Sequence, residues 1–348
     1  MTLYPHLVRI DGSQGEGGGQ ILRTAISLSA ITGKPIEVTN IRANRTNPGL
    51  RPQHIAGIKI IADLFHAKLE NLKVGAEWIR FFPTDKFEGG SVKFDIGTAG
   101  SVPLTLMTVV PAVSLSNNSL QIEITGGTDV KGSPTIDYVK HIVAKSYLSI
   151  GSKFSVEVLK RGYYPKGGGI VRSLIHPCKA PSTIELLAIR HLEPKIISVC
   201  SQLPAHIAKR QISSALLALE KKDIQCSNYT ASIESSISPG SSILVYCAAD
   251  SGVYVGGDSI GEPGKRAEVV GLEAAGKFLD SALAHASIDP FLADMLVLPL
   301  ALSKGKSRYR IARVTEHLLT NLRVVSQLIG CKYQINEHNG NHVVSIEA

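Results

Sequence analysis

Asp11-Gly12-Ser13-Gln14-Gly15-Glu16-Gly17-Gly18-Gly19-Gln20 runs into the apolar segment Ile21–Ile31, and this junction decides how the rest of the chain is read. A glycine cluster lets the backbone turn sharply before a helix. Gly33 and Pro35 then punctuate the helix end. Next come a strand-like run, Ile36–Ile41, and a polar loop, Arg42–Arg51. A second helical segment, His54–Phe65, carries Ile55, Ile58, Ile61, Ala62 and Phe65 at helical spacing. Two strand-like runs follow, near Glu70–Val74 and Trp78–Phe82.

Working outward, the same order returns. Gly97-Thr98-Ala99-Gly100 leads into the apolar segment Val102–Leu115 and then the strand-like Leu120–Ile124. A loop, Thr125–Pro134, precedes a helix, Ile136–Leu148, and strands at Phe154–Leu159 and Gly169–Ile175. A third copy closes the chain. Its apolar helix is Leu292–Leu302, its strand Tyr309–Val314, its turn Glu316–Thr320 and its second helix Leu322–Ile329. A hairpin of Lys332–Glu337 and His342–Ile346 turns at Asn339-Gly340, a dipeptide suited to positive φ. Three copies of one unit, each a sheet covered by two helices, predict a pseudo-symmetric α/β (α+β) domain.

Extra sequence lies between copies two and three. It has strands at Ile196–Cys200, Tyr229–Glu234 and Ile243–Cys247, and helices at Ala205–Leu219 and Arg266–Leu283. That predicts a small inserted α/β domain over 182–284, with 1–181 and 285–348 forming the large domain. Ser235–Ser242 is rich in Ser, Gly and Pro and reads as an exposed loop.

Composition narrows the class. The 348 residues suffice for a sizeable core, and 44% hydrophobic with 19% charged residues is the balance of a globular protein. The net charge of +8 suits an anionic partner such as phosphate or nucleic acid, as well as an ordinary charged surface. Cys178, Cys200, Cys226, Cys247 and Cys331 are scattered, with no CxxC pair, so reduced buried thiols are expected. No apolar run is long enough to span a bilayer, because Pro103, Pro111 and Ser114 interrupt the longest candidate. The first residues lack the pattern of a secretory signal. A cytoplasmic protein is the expectation.

Four stretches could carry chemistry. In the first glycine loop, backbone N–H groups could face an anion, and Glu16 could hold a divalent ion; a tight turn with a solvated Glu16 is the plainer alternative. The loop is neither GxGxxG nor a Walker A. Arg42, Arg45 and Arg51 with Gln53 and His54 precede a helix N-terminus, where guanidinium forks suit phosphate oxygens, and Arg23 could add a fourth cation. A solvated basic loop is the competing possibility. Arg161–Gly169 is a second glycine-rich turn, either functional or a strand connection needing glycine for steric reasons. His317, at a helix start after a strand, would be held neutral by the positive helix end and so could act as a nucleophile; a lone histidine is also commonly structural.

Taken together, Asp11–Arg23, Ile41–His54, Gly97–Ser101, Arg161–Gly169, Leu292–Asp294 and His317–Asn321 resemble the RNA 3'-terminal phosphate cyclase family nearly end to end. The resemblance implies three repeats of a four-stranded sheet with two helices, plus a smaller α/β domain inserted before the last repeat. It implies an ATP-dependent enzyme of the ligase class acting on RNA with a 3'-terminal phosphate, with ATP and a divalent metal (Mg or Mn). His317 matches the nucleophile that takes up AMP, and Glu16 a carboxylate near metal and triphosphate. Arg23, Arg42, Arg45, Gln53 and His54 match polar positions of the cleft, with His54 a second candidate metal ligand. Asp294 matches a nucleotide-contacting position, and Pro134 lies in a loop near the adenine. Met107, Phe291 and Met295 depart from the commoner Gln, Tyr and Gln, although Phe291 can still stack on a base. Two other functions share the fold: a non-catalytic cyclase-like protein of ribosome assembly, which lacks the histidine, and an enolpyruvyl transferase. Monomer and oligomer are both compatible with the sequence.

Overall fold

A computed structural model of the chain describes residues 7–15, 18–84, 87–187 and 191–348. The first unit contains β1 (Val8–Asp11), α1 (Gly19–Thr32), β2 (Ile36–Thr39), α2 (Pro52–Leu64), β3 (Lys68–Glu70) and β4 (Ile79–Phe82). Its sheet order is β1-β2-β4-β3. β1 and β2 run parallel, with Val8 opposite Ile36, and the crossover that parallel pairing demands is α1. β4 is antiparallel to both β2 and β3.

The second unit repeats this wiring. It has β5 (Gly90–Asp95), α3 (Val102–Ser114) and β6 (Leu120–Gly126), then a helical stretch built from α4 (Ile136–Tyr138), a π-turn at Val139–Val143 and α5 (Ala144–Ser149). β7 (Glu157–Lys160) and β8 (Gly169–Ile175) complete the order β5-β6-β8-β7.

The third unit begins with a two-residue strand, β9 (Glu185–Leu186). The inserted segment then supplies β10 (Lys195–Ser201), α6 (His206–Glu220), β11 (Asn228–Ile233), β12 (Gly240–Ala249), β13 (Val253–Ile260) and α7 (Ala267–Ala282). The repeat resumes with α8 (Pro290–Leu300), β14 (Lys306–Ile311), α9 (Glu316–Ile329), β15 (Lys332–His338) and β16 (Asn341–Glu347). Its sheet order, β15-β16-β14-β9, is the wiring of the first two units read from the other edge. β9 pairs parallel with β14 through Arg308–Glu185 and Tyr309–Leu186. Glu185 and Leu186, assigned to the insertion on sequence, thus pair with the third repeat, which the insertion interrupts after its first strand.

The three repeats share one continuous core. Ile26 of α1, Val109 of α3, Leu296 of α8 and Leu322 of α9 are all buried in it. The insertion has a separate core of Ile212, Val245, Val255, Ala274 and Phe278 beneath the sheet β11-β10-β12-β13. Its own buried apolar cluster is what makes it a distinct packing unit.

Several elements differ from their sequence reading. Strand pairing near residue 70 stops at Glu70, because Asn71 and Gly75 take positive φ and turn the chain. Regular pairing in the second unit starts at Glu157 rather than Phe154, which makes only an isolated bridge to Ile175. α9 starts at Glu316, so the turn expected over Glu316–Thr320 is helical, capped by Thr315 Oγ1 accepting from Leu318 N–H at 3.0 Å. The sequence pattern marks none of β5, β9 and β13. β5 has no buried residue, β9 is too short for any periodicity, and β13 contains Gly256-Gly257, which lowers strand propensity. Ser235–Ser242 is only partly the exposed loop expected: Ser238, Ser241 and Ser242 are buried and β12 begins at Gly240. No helix among the described residues is long and apolar enough to cross a membrane.

Candidate active site

Parallel pairing puts the ends of β1 and β2 on the same side of the sheet, so the loops that follow them meet. Asp11 organises the junction. Its Oδ1 accepts from Ser13 N–H at 3.0 Å, Ser13 Oγ at 2.8 Å and Asn40 Nδ2 at 3.0 Å. Asn44 Nδ2 donates to the Ser13 carbonyl at 2.9 Å and draws the arginine loop onto the glycine loop.

The glycines mark where other elements close in. A Cβ on Gly15, which has φ +59°, would lie 2.3 Å from Thr320 Oγ1 in the first turns of α9. One on Gly18 would lie 3.4 Å from Arg45 Nη2 and 3.6 Å from His317 Cε1. One on Gly19 would lie 2.3 Å from His54 Nε2 and 3.1 Å from Arg23 Nη1. The loop before α1 therefore touches His317 and Arg45 at one glycine, and His54 and Arg23 at the next.

His317 is the second residue of α9, at its positive end. A hydrogen-bonded chain fixes that end. Thr315 Oγ1 donates to Asp294 Oδ1 at 2.7 Å, Asn321 Nδ2 to the Asp294 carbonyl at 2.9 Å, and Thr24 Oγ1 to Asn321 Oδ1 at 2.7 Å. α1, α8 and α9 are thereby tied together around the histidine. Thr24, Asp294 and Asn321 are buried, so the two bonds of Asn321 form away from competing water. Asp294, expected at the nucleotide, directs one carboxylate oxygen to the cap of the His317 helix.

The arginine side of the site is electrostatically strained. Arg23 donates through Nη2 to Gln20 at 2.6 Å, and Arg42 through Nη2 to the Asn47 carbonyl at 3.3 Å. The Nε atoms of both are buried without a hydrogen-bond partner among the described residues. Burial, then repulsion from Arg42, pulls the Arg23 guanidinium down to about 10. Arg42 is lowered by burial and by Arg51 and Arg45. At about 10, Arg23 is still protonated at neutral pH. A dianionic phosphate among these arginines would relieve desolvation and repulsion together.

His54 lies beneath this cluster. Burial first, then Arg23, Arg42 and Arg51, push its imidazole down to about 3. Its Nδ1 accepts the Arg51 backbone N–H at 3.1 Å, so the neutral ring carries its proton on Nε2. A ring with its lone pair occupied and three cations as neighbours suits an oxyanion better than a metal. In this tautomer Nε2 presents an N–H outward from the bond to Arg51. Among the described residues no three His, Cys, Asp or Glu side chains group as a metal donor set. Glu16, expected to be catalytic and to bind metal, lies outside the described residues.

The remaining expected residues make separate contacts. Gln53 Oε1 accepts from Ser101 N–H at 3.4 Å, and Ser101 Oγ meets Ser133 Oγ at 2.5 Å, next to Pro134. Phe291 is 39% exposed at the start of α8, one turn before Asp294, with Lys277 Nζ 5.7 Å from its ring centroid. Met107 and Met295 pack, half-buried, against the main core. The Arg161–Gly169 turn does not join the site through Arg161. That guanidinium is buried in ion pairs with Asp129 (3.3 Å), Asp137 (2.9 Å) and Glu234 (2.8 Å), joining the second repeat to the insertion. A Cβ on Gly162 would lie 2.2 Å from the Gly126 carbonyl, so the steric alternative for these glycines holds. Thr24 and Ser133 carry no signal of their own in the sequence. Hydroxyls are too common in sequence to signal a site, and only their partners distinguish them.

Fold and site together define a class: a three-repeat α/β protein whose first glycine loop brings an arginine cluster to a helix-capped histidine. The model of the RNA 3'-terminal phosphate cyclase family matches residues 14–335. The chain is 41% identical over 342 residues to the RNA 3'-terminal phosphate cyclase of Pyrobaculum aerophilum, covering 98% of each chain. The correspondingly named protein of Pyrococcus furiosus is 41% identical over 330 residues, covering 94% of this chain and 95% of its own. That of Methanococcoides burtonii is 41% identical over 348 residues, covering 98% and 100%. The chain belongs to the RNA 3'-terminal phosphate cyclase family.

Proposed function

We propose that the chain uses ATP to convert an RNA 3'-terminal phosphate into a 2',3'-cyclic phosphate, carrying AMP on His317 between the two substrates. The observation that supports this most is the approach of His317 and Arg45 to the same glycine, Gly18, beside Arg23 and Arg42, whose buried Nε atoms have no hydrogen-bond partner among the described residues.

The first step needs a neutral nitrogen nucleophile and cations around a triphosphate. In this reading His317, at the N-terminus of α9, reacts as the neutral imidazole, the form that is nucleophilic. Its lone pair attacks the α-phosphorus of ATP, a phosphoramidate forms, and diphosphate leaves. Arg23, Arg42 and Arg45 offset charge gathering on the phosphoryl oxygens, and the Nε2–H of His54 donates to one of them. In the second step an oxygen of the RNA 3'-phosphate attacks the same phosphorus and frees His317, leaving RNA joined to AMP through an anhydride. In the third, the neighbouring 2'-hydroxyl loses its proton as it attacks the RNA phosphorus, and AMP departs. Adenylylation is required because an ionised phosphomonoester offers no good leaving group, and the last closure is fast because its nucleophile is already adjacent.

Within this proposal Glu16 is the expected carboxylate for Mg or Mn, and Phe291 and Pro134 hold the base by stacking. The decisive experiment incubates the protein with ATP labelled at the α-phosphate and digests it for mass spectrometry. AMP on the peptide containing His317, and none in His317→Asn, is the expected result. Undiminished labelling of His317→Asn would overturn the assignment. An unlabelled wild-type protein would favour the non-catalytic relative.

A further inference from the structure

Two arms lead away from the arginine–histidine centre. One runs Gln53–Ser101–Ser133 to Pro134. The other runs from the His317 cap through Thr315 and Asp294 to Phe291, one turn earlier on α8 and therefore on the same face. The far ends of both are held by the inserted unit. Asp258 on β13 accepts the Thr135 backbone N–H at 2.6 Å, directly after Pro134. Lys277 on α7 donates to the Asp258 carbonyl at 2.6 Å, has Nζ 3.6 Å from Asp258 Oδ1, and places the same ammonium over the Phe291 ring.

A second link runs in parallel. Asp289, the cap of α8, accepts from Phe291 N–H at 2.9 Å and Leu292 N–H at 3.1 Å. It also accepts from the Gly256 N–H of β13 at 2.9 Å and from Tyr138 Oη at 2.7 Å, four residues after Pro134. Tyr138, Asp258 and Asp289 are buried.

We propose that the inserted unit is a working part of the nucleotide site: Asp258 and Lys277 are positioning residues that set the gap between Pro134 and Phe291 in which the purine base of the nucleotide stacks. This rests on the proposed base-stacking role of Pro134 and Phe291. Asp258 fixes the backbone that carries Pro134. Lys277 backs the Phe291 ring with a cation–π contact and is itself held by Asp258. A stacking slot gains affinity when its walls are fixed before the ligand arrives, since their ordering is then not charged against binding. The same slot has no bearing on the phosphates, which the arginines hold.

That division supplies the test. Binding is measured in the His317→Asn background, where no AMP transfer intervenes, with two probes: ATP, and inorganic tripolyphosphate, which has no base. Lys277→Met keeps the aliphatic stem and removes the charge; Asp258→Ala removes the carboxylate. The expected result is ATP affinity reduced about three- to tenfold in each, a size typical of losing one cation–π or hydrogen-bond contact, with tripolyphosphate affinity unchanged. Asp258→Asn, which retains an acceptor for Thr135 N–H, should restore most of the loss. With His317 intact, the KM for ATP should rise while the adenylylation rate at saturating ATP changes little. Equal weakening of both probes, or no weakening of either, overturns the positioning role. Phe291→Ala is the reference variant. If it binds ATP normally, base stacking fails and this inference fails with it. If it weakens ATP while Lys277→Met and Asp258→Ala do not, only the role of the insertion is overturned.

Discussion

His54→Asn tests whether the arginine cluster creates the electrostatics inferred for it. Asn keeps an acceptor close to the position of Nδ1, so the bond from Arg51 N–H, at 3.1 Å, can persist while the titrating ring is removed. In the folded protein the imidazole is pushed down to about 3, against 6.5 in an unfolded chain, by burial first and then by Arg23, Arg42 and Arg51. The folded state thus resists a proton that the unfolded state accepts. The stability this contributes is complete above pH 6.5 and is lost as pH falls from there toward 3. At 1.36 kcal/mol per pH unit, lowering the pH from 6.5 to 4.5 costs the wild type about 2–3 kcal/mol through this group. The assay is urea unfolding followed by circular dichroism at pH 7 and pH 4.5, for wild type and variant. The stability drop between the two pH values should be smaller in His54→Asn by about 2–3 kcal/mol. Equal drops would mean that the ring titrates normally and that the cluster exerts no such field. Tripolyphosphate added to the wild type provides a further check: by binding beside the ring it should ease the repulsion and raise the imidazole pKa, visible by NMR.

Arg42→Ala should lower overall cyclisation by roughly one to two decades, since losing a charge-assisted phosphate contact in the transition state costs about 1.5–3 kcal/mol. Quench-flow comparison of enzyme labelling with RNA cyclisation assigns the contact to ATP or RNA, and normal rates in both steps would reduce the loop to a basic surface. Asn321→Ala removes the partner of both Thr24 Oγ1 and the Asp294 carbonyl in a buried setting. About 2–4 kcal/mol of stability should go with it, read by thermal denaturation, together with a slower AMP transfer to His317 even at saturating ATP; an unaffected transfer rate would confine Asn321 to folding. Gly19→Ala drives a methyl to within 2.3 Å of His54 Nε2, and a destabilisation of about 1–3 kcal/mol is expected by chemical denaturation. Unaltered stability there would show that the loop can move away from His54 and Arg23.

Much of this protein is determined by its sequence alone, for reasons that act over short distances. The helices α1, α3 and α8 announce themselves as apolar runs because all three are buried in the core shared by the repeats. The closing hairpin was legible at Asn339-Gly340, both at positive φ, because few other residues tolerate that backbone. The motifs around His317, Arg42 and Arg45 were legible because charged and glycine-rich stretches stand out against an apolar background. What sequence could not decide depends on partners far away in the chain. β9 is two residues long and exists only because β14 pairs with it across an insertion of about a hundred residues. Arg161 could have faced a ligand until Asp129, Asp137 and Glu234 were seen to surround it. The depressed basicity of His54 comes from burial and three guanidiniums that only the fold gathers around it, with Arg51 N–H on its Nδ1. Asp258 and Lys277 carry no local signal at all, for a carboxylate and an ammonium on a small α/β unit are ordinary surface groups until tertiary packing sets them against Thr135 and Phe291. Propensity and pattern are properties of neighbours in sequence, whereas burial, charge environment and hydrogen-bond partners are set only when distant segments share one space.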